Sequence, residues 1–159
     1  MTETALLKWQ NATGECRIHA SRLGIAMAAV AGLMPLDADT IDGLGDQDSA
    51  WLDQFLYRFS KLQDAMGERL FVDGLLLLGE DFRDKPFIDA LNRLEALALI
   101  PGRAWWQEVR ELRNQVAHEY PDRRDEQAAA TNAIYVEGAR VLQVLDNFVA
   151  AVESKAREE

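Results

Sequence analysis

Residues 6–34, LLKWQNATGECRIHASRLGIAMAAVAGLM, carry the pattern that decides the fold. One set of positions in this stretch recurs at alternating spacings of three and four, which places it along one face of a helix. The set is Leu6, Trp9, Thr13, Cys16, Ala20, Leu23, Met27, Val30 and Met34. Only Thr13 is polar, so we expect a long first helix, from about Thr4 to Gly32, whose apolar face packs in a helical bundle.

Helical spacing of apolar residues continues along the rest of the chain, and no stretch alternates as a strand would. We expect a second helix that begins near Ser49 and bends or ends at Gly67. Four further helices are predicted. One covers 70–78, one begins at Pro86, one ends at Glu119 and one covers 125–152. The sequence therefore predicts an all-α, up-and-down bundle of five to six helices in a single domain, 1–159, with a frayed tail over 153–159.

The composition excludes several classes of function. Cys16 is the only cysteine, so neither an intrachain disulfide nor a thiolate zinc cluster can form, which suits the cytoplasm. The longest uncharged run, 23–36, is too short to span a bilayer, and we expect no membrane association. Glycine motifs for nucleotide phosphates are absent, and the two histidines, His19 and His118, lack companion metal ligands. We expect a cytoplasmic protein that uses neither cofactor nor metal, with His19 at the surface or at the boundary of the core.

The segment 113–120, RNQVAHEY, concentrates chemically useful groups. On a helix Asn114 lies one turn before His118 and can orient its imidazole. An arginine and a histidine together suit metal-free cleavage of RNA, because imidazole moves protons and guanidinium offsets charge on the phosphoryl oxygens. A single histidine does not easily act as base and acid in one step, whereas two copies of the segment facing each other in a homodimer supply both.

The same segment also has a purely structural interpretation. Arg113 can pair with Glu119 or another carboxylate, and His118 can donate to the last carbonyls of its helix. Spacing alone leaves both interpretations open.

The pattern Arg-Asn-x-x-x-His-x-Tyr resembles the Arg-x(4–6)-His signature of HEPN domains, in its Arg-x(4)-His-x-Tyr form. That form is typical of HEPN toxins encoded beside minimal nucleotidyltransferase (MNT) antitoxins. Residues 55–67, FLYRFSKLQDAMG, and 91–99 also resemble segments of such proteins, so the likeness covers about two-thirds of the chain.

The resemblance implies a HEPN-type bundle and a metal-independent endoribonuclease. Arg113 and His118 would form its catalytic pair at a homodimer interface, with Asn114 in the polar position after the arginine. Tyr120 would be the residue to which the MNT antitoxin attaches adenylate, which silences the RNase. Two other classes remain open: a catalytically silent HEPN module that docks a nucleotidyltransferase, and a plain helical oligomerisation protein.

The net charge of −10, from 17 Lys+Arg against 27 Asp+Glu, opposes long-range attraction of RNA. Any RNA contact must therefore be local. Arg110, Arg113, Arg123 and Arg124 surround the motif in sequence and are predicted to form a local positive patch.

Overall fold

The structure is a computed structural model that describes residues 2–116 and 122–158. Its helices are α1 Glu3–Val30, α2 Ala38–Asp42, α3 Asp46–Ala65, α4 Phe71–Leu77, α5 Phe87–Ala96, α6 Arg103–Val116 and α7 Arg124–Arg157. A π-helical turn, Met66–Leu70, joins α3 to α4 without a break. Neither described range contains a strand, and with α3 and α4 counted as one rod these ranges hold six helices. The prediction of an all-α bundle is confirmed.

Helix α1 follows the predicted pattern closely. Its first turn is capped by Thr2, whose hydroxyl accepts a hydrogen bond from the Ala5 N–H at 3.0 Å. Most of the predicted face is buried, namely Trp9, Thr13, Cys16, Leu23 and Val30. Ala20, Met27 and Met34 are half-buried against the core. Leu6 is 37% exposed, because the buried face of the first turn is centred on Ala5 instead.

The α3–α4 rod forms the centre of the bundle. Phe71, at the start of α4, packs between Trp106 of α6 and Phe148 of α7, with ring centroids 4.7 and 5.2 Å apart. Gly74 allows this close approach, since a Cβ there would lie 3.0 Å from the Phe148 ring. The predicted short, buried helix over 70–78 is therefore present, although it continues the preceding helix.

Gly67, where we expected α3 to bend or end, lies within the π-helical turn. The Phe71 N–H donates to the Met66 carbonyl, so one extra residue is accommodated in the turn. Met66 and Leu70 are buried, whereas Glu68 is exposed. The helix therefore continues through Gly67, and the π-helical turn places position 67 against α6.

Helix α7 is longer than predicted. We expected fraying over 153–159, yet the helix continues to Arg157. The reason is that Val152 and Ala156, one turn apart, are both buried and hold the last turns on the bundle. No helix in the described part of the chain is long and apolar enough to cross a membrane.

Asn132 of α7 fixes the connection that follows α1. Its side-chain amide donates to the Leu36 carbonyl at 2.8 Å, and its side-chain oxygen accepts from the Leu36 N–H at 2.7 Å. Leu36 is only 4% exposed, so this side chain satisfies backbone groups that the surrounding helices cannot.

Candidate functional site

Helix α6 divides its circumference between the core and a cleft. Trp105, Trp106 and Val109 are buried. Arg110, Arg113 and Asn114 follow at helical spacing and line the cleft. Two of the three residues predicted to be catalytic therefore lie on one wall, together with one predicted RNA contact.

The cleft has a volume of about 640 Å³. Its other walls come from the end of α3, the π-helical turn, the start of α4, the loop over 78–86 and the first residue of α5. Besides the residues of α6, the lining is Gln63, Asp64, Gly67, Glu68, Val72, Phe82, Arg83, Lys85 and Phe87. Five consecutive segments of the fold thus converge on Arg113 and Asn114 of the motif.

Arg113 is held by a carboxylate on the opposite wall. Its Nε and Nη2 donate to the two carboxylate oxygens of Asp64, both at 3.0 Å. The two side chains are 28% and 29% exposed, and the hydrogen bonds that Arg113 donates to Asp64 raise the pKa of its guanidinium. The arginine thus has the carboxylate partner of the structural interpretation, supplied by Asp64. Its Nη1 atom makes no hydrogen bond within residues 2–116 and 122–158.

Two further cations in the cleft come from the loop over 78–86. Arg83 forms a bidentate pair with Asp81 at 2.9 and 2.7 Å, and these hydrogen bonds hold the pKa of that carboxyl well below its usual range. Lys85 places its ammonium 4.6 Å from the centre of the Phe82 ring. Lys85 and Arg110 have no carboxylate partner in the described part of the chain. The cleft is consequently locally cationic although the chain as a whole is acidic.

The predicted arginine patch is only partly assembled. Arg124 pairs with Asp42 of α2 at 3.1 Å, and Arg123 lies 3.6 Å from Glu126. Neither lines the cleft, whereas Arg110 does. Arg83 and Lys85 occupy the place that the sequence had suggested for Arg123 and Arg124, and nothing in the loop's sequence indicates that it folds against α6.

The floor of the cleft contains two polar side chains that the sequence did not indicate. Gln63 is 5% exposed and Trp106 is 1% exposed. The indole Nε1 of Trp106 is buried without a hydrogen-bond partner, and the Gln63 side chain makes no hydrogen bond within the described residues. The two groups meet at Gly67, where a Cβ would lie 3.6 Å from both Gln63 Nε2 and Trp106 Nε1.

The arrangement can bind an anion and donate hydrogen bonds to it. Comparisons with family models, curated proteins and solved structures find no match to this chain. Within the described ranges no group of three or more His, Cys, Asp and Glu side chains could hold a metal ion. The cleft is lined by guanidinium, ammonium, amide, indole and carboxylate groups.

The remaining site predictions fall in two places. His118 and Tyr120 lie outside the described residues, so their position relative to the cleft stays a prediction. His19 is half-buried on α1, with Nδ1 2.9 Å from Arg58 Nη1. Burial and the neighbouring Arg58 lower the pKa of His19, which favours a neutral ring that accepts this hydrogen bond.

Proposed function

We propose that this chain is a HEPN-type, metal-independent endoribonuclease, the cytoplasmic toxin of a toxin–antitoxin pair with an MNT antitoxin. One observation carries the proposal. Arg113 and Asn114 of the motif line a cleft together with Arg110 and Lys85, two cations without carboxylate partners among the described residues. A phosphodiester is the ligand that such a wall attracts on an otherwise acidic protein.

In the proposed reaction the Nη1 edge of Arg113 contacts a non-bridging oxygen of the scissile phosphate. Asp64 fixes the opposite edge, so the guanidinium is already oriented before RNA arrives. His118 accepts the proton of the 2′-hydroxyl as the 2′-oxygen bonds to phosphorus. The bond from phosphorus to the 5′-oxygen then breaks, and that oxygen takes a proton from the second His118 of a homodimer.

The products are a 2′,3′-cyclic phosphate and a 5′-hydroxyl. Regulation in this proposal acts on the same segment, because the MNT antitoxin attaches adenylate to Tyr120. A bulky anion two residues from His118 would compete with RNA phosphate for Arg113.

A second candidate function is a catalytically silent module that docks a nucleotidyltransferase. The Asp64–Arg113 pair favours it, since a bidentate carboxylate partner is what an arginine with a purely structural role would have. The two functions differ in whether substitution of Arg113 removes an activity or only stability.

Growth arrest on induced expression tests the first function against the second. Wild type is compared with Arg113→Ala, His118→Ala and the control Arg103→Ala, which removes an exposed arginine of α6 that lies outside the cleft. Circular dichroism checks that each variant is folded. We expect wild type and Arg103→Ala to arrest growth and degrade RNA, and the other two variants to do neither. Absence of arrest with wild type, or arrest with all variants, would favour the silent module.

A further inference from the structure

Gln63 and Trp106 are the least usual residues of the cleft. Each is more than nine-tenths buried, each carries a polar group, and neither side chain has a hydrogen-bond partner among the described residues. Buried polar groups in folded proteins are nearly always paired, because an unpaired one keeps the full cost of losing its water. The buried, unpaired group here is the Trp106 N–H, and the Gln63 amide, which lines the same cleft, lies beside it, so we look for the partner in a ligand.

The floor offers a defined pattern of hydrogen bonds. An indole N–H is only a donor, whereas a carboxamide both donates and accepts. A ligand that matches it presents acceptor atoms on a flat edge together with a donor, as the edge of a nucleobase does. An inorganic anion uses the donors but leaves the carboxamide oxygen without a partner.

The walls supply what the rest of a nucleotide needs. Arg110 on α6 and Lys85 on the loop over 78–86 are exposed cations without carboxylate partners within residues 2–116 and 122–158. Phe82 and Phe87 are half-buried in the same lining and offer aromatic surface to a base. The cations are therefore available to a phosphate, the phenylalanine rings to the face of a base, and the floor to its edge.

The π-helical turn creates the space for this floor. Gly67 lies in the turn, and a Cβ there would be 3.3 Å from Trp106 Cζ2 and 3.6 Å from the Gln63 and Trp106 nitrogens. A side chain at position 67 would therefore cover the polar floor. π-helical turns of this kind occur frequently at functional sites.

We propose that the cleft is a nucleotide-binding subsite, in which Gln63 and the Trp106 N–H read the edge of one base while Arg110 and Lys85 hold its phosphate. Its assignment to the nucleotide beside the scissile bond rests on the proposed ribonuclease function. The binding itself does not, since it requires neither His118 nor cleavage.

The test titrates the full-length protein with the four nucleoside 5′-monophosphates and with inorganic phosphate, followed by tryptophan fluorescence and calorimetry. The variant is Gln63→Met, which keeps the length of the side chain and removes its polar atoms. Gln54→Met is the matched control, because Gln54 lies on the same helix outside the cleft. Melting temperatures are recorded for all three proteins.

We expect one or more of the nucleotides to bind at least tenfold more tightly than inorganic phosphate. Gln63→Met should weaken that nucleotide about tenfold, leave phosphate binding unchanged and leave the melting temperature equal or higher, because the amide has no hydrogen-bond partner among the described residues to lose. Lys85→Ala should weaken nucleotide and phosphate alike. Gln54→Met should bind as wild type does.

Three results would overturn the proposal: no nucleotide preferred over phosphate, an equal loss in Gln54→Met, or a melting temperature lowered by Gln63→Met. The last would mean that the amide has a structural partner. Nucleotide binding that depends on Gln63 in a protein that cleaves no RNA would refute the ribonuclease and leave the subsite standing. RNA cleavage by a protein whose nucleotide binding does not depend on Gln63 would support the ribonuclease and refute the subsite.

Discussion

The bidentate pair of Asp64 and Arg113 allows a quantitative prediction of how firmly the cleft holds its arginine. The pair is 28% and 29% exposed, which places it between surface pairs and buried pairs. Surface pairs couple by up to about 1 kcal/mol, and breaking a buried pair costs about 3–5 kcal/mol. We therefore expect Asp64→Asn to lower the free energy of unfolding by about 1–2 kcal/mol. For a chain of 159 residues that corresponds to a fall in melting temperature of about 2–8 °C.

Urea unfolding of wild type, Asp64→Asn, Arg113→Gln and the double variant gives the coupling free energy of the pair. The matched control is the same cycle on Asp81 and Arg83, whose carboxylate and guanidinium are 49% and 48% exposed. We expect a coupling of about 1–2 kcal/mol for the first pair and a smaller coupling for the second, because solvent screens the more exposed charges. Equal couplings in both cycles, or none for Asp64 and Arg113, would refute the inference that Asp64 holds the arginine in place.

Two further predictions concern the bundle. Burial raises the pKa of the Cys16 thiol from 9.0 to about 12, so its contribution to stability is complete below pH 9 and is lost as the pH rises toward 12. The unfolding free energy of wild type relative to Cys16→Ala should therefore fall by about 1.4 kcal/mol per pH unit above pH 9, and a difference independent of pH would contradict this. Asn132→Ala should cost about 2–3 kcal/mol in urea unfolding, because the buried Leu36 N–H and carbonyl lose their partners, whereas the exposed Asn147→Ala should cost under about 0.5 kcal/mol. An equal loss of unfolding free energy in the two variants would show that water replaces the Asn132 side chain as the hydrogen-bond partner of Leu36.

The helices were predictable because their signal is local. The 3.6-residue period of α1 places Trp9, Cys16 and Leu23 on one face whatever packs against them, and those residues are buried. The predicted end of α7 was wrong for a related reason. A charged tail lowers the local apolar content over 153–159, yet Ala156, one turn after the buried Val152, is itself buried on the core.

The cleft was predictable only where its residues share a helix. The spacing of Arg110, Arg113 and Asn114 fixes their common face on α6. Their counterparts are Asp64, 49 residues before Arg113 in the chain, and Lys85 on a loop. Such contacts depend on how the helices pack against one another. Neither the periodicity of apolar residues nor the helix propensity of the sequence encodes them.

The floor of the cleft shows the same limit. Gln63 follows Leu62 in a helix of mixed polarity and has no local feature that distinguishes it from a surface glutamine. Its burial follows from the π-helical turn, which brings Gly67 against Trp106. We read Gly67 as a bend or an end, because a glycine in a helix has several outcomes and the sequence does not choose among them.

Cleavage of end-labelled RNA by the purified protein in excess EDTA tests the central proposal most directly. Wild type, Arg113→Ala, His118→Ala and the control Arg103→Ala are compared on the same RNA, and on a copy with 2′-O-methyl groups that block the internal nucleophile. We expect wild type and the control to cut the unmodified RNA alone, leaving 2′,3′-cyclic phosphate ends, and the other two folded variants to lose the activity. Intact RNA with wild type, or equal cleavage by all four proteins, would contradict a ribonuclease site at Arg113 and His118.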